Sequence, residues 1–140
     1  MKKNIFFTAV IVISSIFISC ATVTEVPQDK SAAQIIQMGQ NAVSASDYKS
    51  ALVCYNTVLQ RYGSDASVYA EATYETGHVY LKQKKYAEAY ETFTKLLSIY
   101  EFSPGALPPA YKKLANIGIN QIPAKKLAEL SKNTPEADSL

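Results

Sequence analysis

Apolar residues recur along residues 47–100 with the period of an α-helix, and the same apolar pattern occurs there twice. In each copy, seven positions spaced i, i+3, i+4, i+7, i+10, i+11 and i+14 fall on one helical face. The two copies lie 38 residues apart: Tyr48, Ala51, Leu52, Tyr55, Val58, Leu59 and Tyr62, then Tyr86, Ala89, Tyr90, Phe93, Leu96, Leu97 and Tyr100. A period between about 20 and 50 residues predicts stacked structural repeats.

Small residues accompany both copies of the pattern. Ala51 and Ala89 are the small members of the apolar face, and we expect another helix to approach closely there. Gly39 and Gly77, related by the same 38-residue shift, would allow this approach on the partner helix despite their low helix propensity. Each unit is therefore predicted to be a pair of antiparallel helices.

Capping residues and prolines predict where the helices begin and end. We expect helices over about 31–44, 47–63, 67–83, 85–100, 109–117 and 124–130, with Gly63 in a left-handed conformation and prolines 108 and 109 at a first turn. In the third unit, Ala124 and Ser131 occupy the places of Tyr86 and Phe93. Residues 123–130 are therefore predicted to be a degenerate cap, and residues 131–140 a disordered tail.

The stretch from Ala70 to Leu97 resembles a tetratricopeptide repeat (TPR). Its signature residues are Gly77, Tyr80, Ala89 and Phe93, with Tyr74, Tyr86 and Leu97 in support. The first copy keeps Gly39, Tyr48, Ala51 and Tyr55, but Ala42 stands in the place of Tyr80, and Thr73 and Thr76 replace larger residues in the second copy. The resemblance covers about residues 32–118. It implies an all-α fold, a short TPR-type helical solenoid over residues 31–130 with two full helix pairs and a degenerate capping unit.

The N-terminus predicts export and lipidation. A short basic segment is followed by an apolar run from Ile5 to Ile18, which is shorter than a membrane-spanning helix and typical of a signal peptide, residues 1–19. The run ends in Phe17-Ile18-Ser19-Cys20, which resembles a bacterial lipobox and implies a lipid on Cys20. Residues 20–30 are then a lipidated Cys and a tether. An uncleaved anchor, or cleavage elsewhere with Cys20 incidental, are the alternatives.

The balance of charge argues against nucleic acid as a partner. Removing Lys2 and Lys3 from the 14 basic residues leaves 12, which equals the 12 acidic residues. No basic run with interleaved aromatics is present, so nucleic-acid binding is not expected. Cys20 and Cys54 are the only cysteines, and Cys54 is expected to be a small, semi-buried residue of the second helix.

The sequence contains no recognisable catalytic arrangement. His78 is the only histidine, so no histidine cluster or hydrolytic triad can form, and the five glycines are scattered singly rather than grouped in a phosphate-binding loop. We therefore expect neither an enzyme nor a cofactor or metal site. His78 is either a solvated polar residue of the third helix or a contact to a partner.

The first helix of each predicted pair would line a concave groove in a stacked-repeat fold. On the third helix the groove residues are Glu71, Tyr74, His78 and Leu81. The 38-residue shift adds Ala33, Ile36, Gln40 and Val43 on one side, and Pro109, Lys112, Asn116 and Ile119 on the other. Such a groove suits an extended segment or a helix of another protein.

The combination of lipobox, tether and 38-residue spacing resembles periplasm-facing TPR lipoproteins. These include the lipoprotein of the outer-membrane β-barrel assembly machinery and the TPR domain that coordinates envelope constriction. The resemblance implies a non-enzymatic scaffold of the cell envelope that faces the periplasm from the outer membrane. Its partners would be other envelope proteins in the groove and the membrane through the lipid. A surface-displayed lipoprotein with an external ligand, and a peptidoglycan-associated, cell-division or sugar-handling protein, are the alternatives.

Overall fold

The computed structural model describes residues 25–133, and this part of the chain is all-α. Its helices are α1 (Ala32–Ser44), α2 (Tyr48–Tyr62), α3 (Ala66–Lys82), α4 (Tyr86–Phe102), α5 (Pro109–Asn120) and α6 (Ala124–Asn133). The predicted signal peptide, Cys20, the start of the tether and residues 134–140 lie outside the described residues.

Side-chain caps begin three of the helices. The Ser31 hydroxyl accepts the N–H of Gln34, and the Gln34 side chain accepts the N–H of Ser31 at 2.9 Å, which forms a capping box. Asp47 and Asp65 accept backbone N–H groups in the first turns of α2 and α3. Helices α4, α5 and α6 each extend two or three residues past their predicted ends. The predicted boundary at residue 130 is therefore wrong, because α6 continues through Asn133.

The turn inside each helix pair repeats with the 38-residue period. Ser46 and Lys84 both have positive φ, at 60° and 59°. The residue after each donates its N–H to a carbonyl five positions earlier, and the two bonds join Asp47 to Ala42 at 2.8 Å and Lys85 to Tyr80 at 2.9 Å. These bonds satisfy carbonyls that the helix end leaves without partners.

The third turn lacks this bond for a chemical reason. Pro123 occupies the place of Asp47 and Lys85, and a proline has no N–H to donate. The preceding bond, from Ile122 N–H to the Ile119 carbonyl, is retained at 3.0 Å, and α6 still begins 38 residues after α4. The predicted left-handed glycine is wrong: Gly63 has φ −67° and ψ −6°, in the right-handed region.

The helices pack in two layers. Each of α1 to α4 contacts the next helix along the chain, which alternates between the layers, and α3 also contacts α1 and α5. The first layer is therefore α1, α3 and α5, and α4 contacts α6 in the second. This arrangement places the three helices that the sequence predicted to share a binding surface side by side.

Two apolar clusters fill the space between the layers. The first is built around Tyr55 and the second around Phe93, both fully buried. Each ring lies against a glycine of the preceding helix, Gly39 for Tyr55 and Gly77 for Phe93. Ala51 and Ala89 are fully buried in the same clusters, as expected of small residues at a close helix contact.

The end of the predicted tether is docked on the domain. Val26 is only 2% exposed and belongs to the first apolar cluster. The Arg61 guanidinium donates to the carbonyls of Val26 and Pro27, both at 2.8 Å, and the Tyr62 hydroxyl donates to the carbonyl of Lys30 at 2.7 Å. The prediction of a free tether over residues 20–30 is therefore wrong for residues 26–30, because side chains of α2 hold their backbone.

Candidate protein-binding face on α3

One side of α3 carries all four predicted groove residues of that helix. Glu71, Tyr74, His78 and Leu81 are each partly exposed. Their spacing of three and four residues places them on a single helical stripe. We call this stripe, together with Glu75 and the neighbouring side chains Gln40 and Tyr111, the α3 face.

Tyr74 is the centre of an aromatic cluster on the α3 face. Its ring stacks on His78 with centroids 6.0 Å apart and planes 12° apart. It also contacts the rings of Phe93, at 6.0 Å, and Tyr111, at 6.1 Å. Tyr74 therefore links α3, α4 and α5, so removing its ring would disturb the fold as well as any binding surface.

Two carboxylates stand one helical turn apart beside this cluster. Glu75 has a side chain only 16% exposed, accepts a hydrogen bond from Gln40 Nε2 at 3.1 Å, and has an oxygen 3.7 Å from His78 Nδ1. Glu71 has no hydrogen-bond or ion-pair partner among the described residues. Burial and, secondarily, the charge of Glu75 raise the pKa of Glu71 above its usual range.

Tyr55 adds a buried polar group that the carboxylates influence. The residue is fully buried, and its hydroxyl has no hydrogen-bond partner among residues 25–133. Its ring lies against Gly39 of α1. Burial raises the pKa of this phenol, and the charges of Glu75, Cys54 and Glu71 add to the effect.

The predicted groove residues of α5 do not join this group. The Lys112 ammonium lies over the Tyr100 ring, 6.0 Å from its centroid, and the Asn116 amide donates to the Lys112 carbonyl of its own helix at 2.8 Å. No described contact connects either residue to Glu71 or Tyr74. On α1, Ile36 is 5% exposed and packs in the first cluster instead of lining the surface.

Leu81 and His78 border a small pocket at one end of the α3 face. Its volume is about 220 Å³, and its other lining residues are Lys82, Lys84, Tyr86 and Gln121. These residues come from α3, from the loop after it, and from the beginning of α4 and the end of α5. The pocket therefore extends the α3 face towards the third unit.

A second pocket opens on the opposite side of α3. It has a volume of about 420 Å³ and is lined by Leu59, Tyr69, Thr73, Thr76, Tyr80, Glu88, Glu91, Thr92 and Lys95. Thr73 is 5% exposed, and its hydroxyl has no hydrogen-bond partner among the described residues. We call it the back pocket. Because the back pocket is a local gap between α2 and α4, we consider the α3 face the better candidate for binding a protein segment.

The remaining chemistry of the described residues is sparse. Cys54 is fully buried, and burial raises the pKa of its thiol, which keeps the thiol protonated and unreactive. Between residues 25 and 133, no three Cys, His, Asp or Glu side chains are placed to hold a metal ion. None of the described helices is long and apolar enough to cross a membrane.

Glu75, Tyr111 and Gly118 were not among the residues predicted from the sequence. Glu75 could have been found from its i,i+4 spacing to Glu71, since both fall on one helical face. Gly118 touches the edge of the Phe93 ring opposite to the one that Gly77 touches, but the 38-residue shift aligns it with Tyr80. Tyr111 aligns with Thr73 by the same shift, so the repeat pattern alone contained no signal for either residue.

Comparison with known proteins gives one informative relative. No family model matches the chain, and no solved structure matches it. A protein of Treponema pallidum (strain Nichols), described as uncharacterized, is 32% identical over 99 residues, which are 70% of this chain and 40% of the relative. The chain thus spans about two fifths of the length of that relative.

Proposed function

We propose that this protein is a non-enzymatic, lipid-anchored scaffold of the bacterial cell envelope that binds a segment of another protein on the α3 face. The observation that supports this best is the α3 face itself. It carries a partly buried carboxylate that has no hydrogen-bond or ion-pair partner among the described residues, beside partly exposed tyrosine rings of the first-layer helices. Unsatisfied charge and accessible aromatic surface are both common where a protein segment binds.

The repeat pattern supports a TPR-type solenoid as the framework of this scaffold. Helices α2, α4 and α6 begin 38 residues apart, and the turns before α2 and α4 make the same hydrogen bonds. In stacked repeats of this kind, the first helices of the pairs line one extended surface. We propose that α1, α3 and α5 form that surface, with α6 as the degenerate cap.

The membrane attachment rests on the sequence Ser19-Cys20 after an apolar run. A single acyl chain gives only marginal membrane binding, whereas several chains anchor a protein stably. We therefore expect the protein to enter the detergent phase on phase separation and to incorporate a fatty-acid probe. Cys20→Ala should abolish this labelling, and labelling that persists in this variant would remove the lipid anchor from the proposal.

Site-specific photo-crosslinking in the native envelope tests the binding surface. A photoreactive residue at His78 or Leu81 should form adducts with a discrete partner, because both side chains border the α3 face. The same residue at Lys49, which is exposed on α2, serves as the control. An outer-membrane assembly factor among the adducts would favour a role in outer-membrane protein assembly. A cell-division or cell-wall protein would favour a role in cell division or at the peptidoglycan. Equal adducts from both helices would contradict a specific surface on α3.

The back pocket supports a second candidate function, the binding of a small sugar. Tyr69 and Tyr80 offer ring surface, and Thr73 offers a hydroxyl that lacks a hydrogen-bond partner. Titration with peptidoglycan fragments and simple glycans would give a saturable isotherm that Tyr80→Ala weakens. Protease accessibility on whole cells would separately test display at the outer surface.

A further inference from the structure

We propose that the α3 face recognises a lysine or arginine side chain of the partner segment, held against Glu71 and Glu75. This inference rests on the proposed function, because it names the chemistry of the segment that the scaffold binds. It goes further in assigning the sign of the charge and the residues that contact it. The opposite choice, capture of an anionic group, is an outcome that the experiment can reveal.

The arrangement of charges carries the inference. Glu71 and Glu75 lie on the same helical face, and like charges at this spacing destabilise a helix. The ion pairs that lysines form within residues 25–133 are elsewhere, at Lys30–Asp29 and Lys126–Glu129. The two carboxylates therefore lack a lysine or arginine partner within the described part of the chain. A cation supplied by another protein would turn the repulsion into two charge-assisted hydrogen bonds.

The aromatic rings beside the carboxylates suit the same ligand. Tyr74 and Tyr111, whose centroids are 6.1 Å apart, are both partly exposed and stand on α3 and α5. Burial raises the pKa of both phenols, and the charge of Glu75 on both, with that of Glu71 on Tyr111, adds to the effect. A tyrosine face attracts an ammonium or guanidinium group through its ring quadrupole.

The buried hydroxyl of Tyr55 is a second observation that involves the same carboxylates. It has no hydrogen-bond partner in the described part of the chain, and Glu75 and Glu71 are the carboxylates that influence it. In the second unit the corresponding ring is Phe93, which has no hydroxyl at this position. A buried polar atom without a partner is unfavourable, so an N–H donor that reached this hydroxyl would gain a hydrogen bond.

An anionic ligand would find few donors beside Glu71 and Glu75, because the exposed Lys82 and Lys84 line the small pocket at the Leu81 end of the α3 face. The Lys112 ammonium is over Tyr100, and the Asn116 amide is engaged with its own helix. The Gln40 amide already donates to Glu75. A carboxylate or phosphate approaching the α3 face would instead meet two negative side chains.

Probes can be obtained by selecting peptides that bind the protein from a random library. The full-length chain in detergent micelles would be panned with phage-displayed decapeptides, and selected peptides would be synthesised in pairs. One member keeps its basic residue, and the other has norleucine there, which resembles lysine without the charge. Affinities would be measured by fluorescence anisotropy for wild type, for the double variant Glu71→Gln/Glu75→Gln, and for Glu101→Gln, an exposed control on α4.

We expect selected peptides to share a lysine or arginine. Norleucine in its place removes both charge-assisted hydrogen bonds, so binding should weaken by at least about tenfold, a ratio that one such bond already supplies. The double variant should bind the basic peptide more weakly than wild type by a similar factor, and it should bind the norleucine peptide no more weakly than the basic one. Glu101→Gln should bind both peptides like wild type. Circular dichroism would confirm that the double variant stays folded, as expected when like charges are removed.

Three results would overturn the inference: selected peptides without basic residues, equal binding of the paired peptides, or equal losses in the double variant and in Glu101→Gln. Failure of this inference is distinguishable from failure of the proposed function. Peptides that lose binding in His78→Ala or Leu81→Ala, but do not depend on a basic residue, would refute the cation and leave the scaffold intact. If no selected peptide depends on the α3 face and crosslinking from this face is also unspecific, both are refuted.

Discussion

Gly77 lies flat against the ring of Phe93, and a Cβ atom on this glycine would fall 2.6 Å from Cε1 of the ring. The ring cannot withdraw easily, because Gly118 of α5 is equally close to its other edge and Phe93 is fully buried. Phe93 is thus held between two helices of the first layer, and both contacts require the absence of a side chain.

Gly77→Ala should therefore destabilise the protein although alanine is the better helix former. The propensity gain is about 1 kcal/mol, but overpacking of a core typically costs about 1–3 kcal/mol, and here two contacts oppose relaxation. We expect a net decrease in the free energy of unfolding, measured by urea denaturation. Lys113→Ala, an exposed site on α5, should stay within about 0.5 kcal/mol. A more stable Gly77→Ala protein would contradict the close packing.

Ala89→Leu tests the same helix pair from the other side. Ala89 is fully buried, so three additional carbon atoms should cost about 1–3 kcal/mol of unfolding free energy. Glu88→Gln changes the exposed neighbouring residue and should cost no more than about 0.5 kcal/mol. Thermal melting by circular dichroism compares the two variants. Equal melting temperatures would be incompatible with Ala89 at a helix contact.

Arg61→Ala should release the segment before α1. The guanidinium holds two backbone carbonyls, and hydrogen bonds to charged groups contribute about 1.5–3 kcal/mol. We expect trypsin to cleave after Lys30 faster in this variant, since the segment would leave the surface of α2. Arg61→Lys retains the charge but not the two-pronged geometry, so its cleavage rate should be intermediate. Identical rates in all three proteins would show that the segment is held by other contacts.

Glu71→Gln should change how stability depends on pH. Because the pKa of Glu71 is raised in the folded protein, the folded state binds more protons than the unfolded chain between that pKa and the ordinary value near 4.5. The free energy of unfolding that Glu71 contributes therefore rises as the pH falls through this window.

Glutamine cannot titrate, so Glu71→Gln should be more stable than wild type at pH 7, and the difference should shrink as the pH approaches 4.5. Asp47, whose pKa is lowered chiefly by the hydrogen bond from the Ser50 hydroxyl, acts in the opposite direction but is present in both proteins. Urea unfolding at a series of pH values provides the measurement. A Glu71→Gln protein less stable than wild type at pH 7 would mean that Glu71 has a stabilising partner.

The parts of the fold that follow from local chemistry could be predicted from the sequence. The caps at Ser31, Asp47 and Asp65 depend on residues three or fewer positions away, so their pattern is visible in the chain. The starts of α2 and α6, at Tyr48 and Ala124, follow from the 38-residue shift for the same reason.

Long-range contacts could not be predicted in this way. Val26 is one of two valines in a mostly polar, proline-containing segment, and only the folded chain brings Arg61 to its carbonyl. In the candidate site, the four predicted residues of α3 do lie on one stripe. Lys112 does not join them, because α5 packs against α4 and the Lys112 ammonium lies over the ring of Tyr100. The groove itself, as a surface that binds a partner, stays a prediction.

The docking of Val26 also limits how far the domain can travel from a membrane. If Cys20 carries the lipid, as proposed, only the chain between Cys20 and Val26 is available as a free linker. Fully extended, its six residue steps span at most about 20 Å, which is less than the diameter of a domain of this size. The protein would then search for partners across the plane of the membrane, where confinement to a thin layer raises the effective concentration of each for the other.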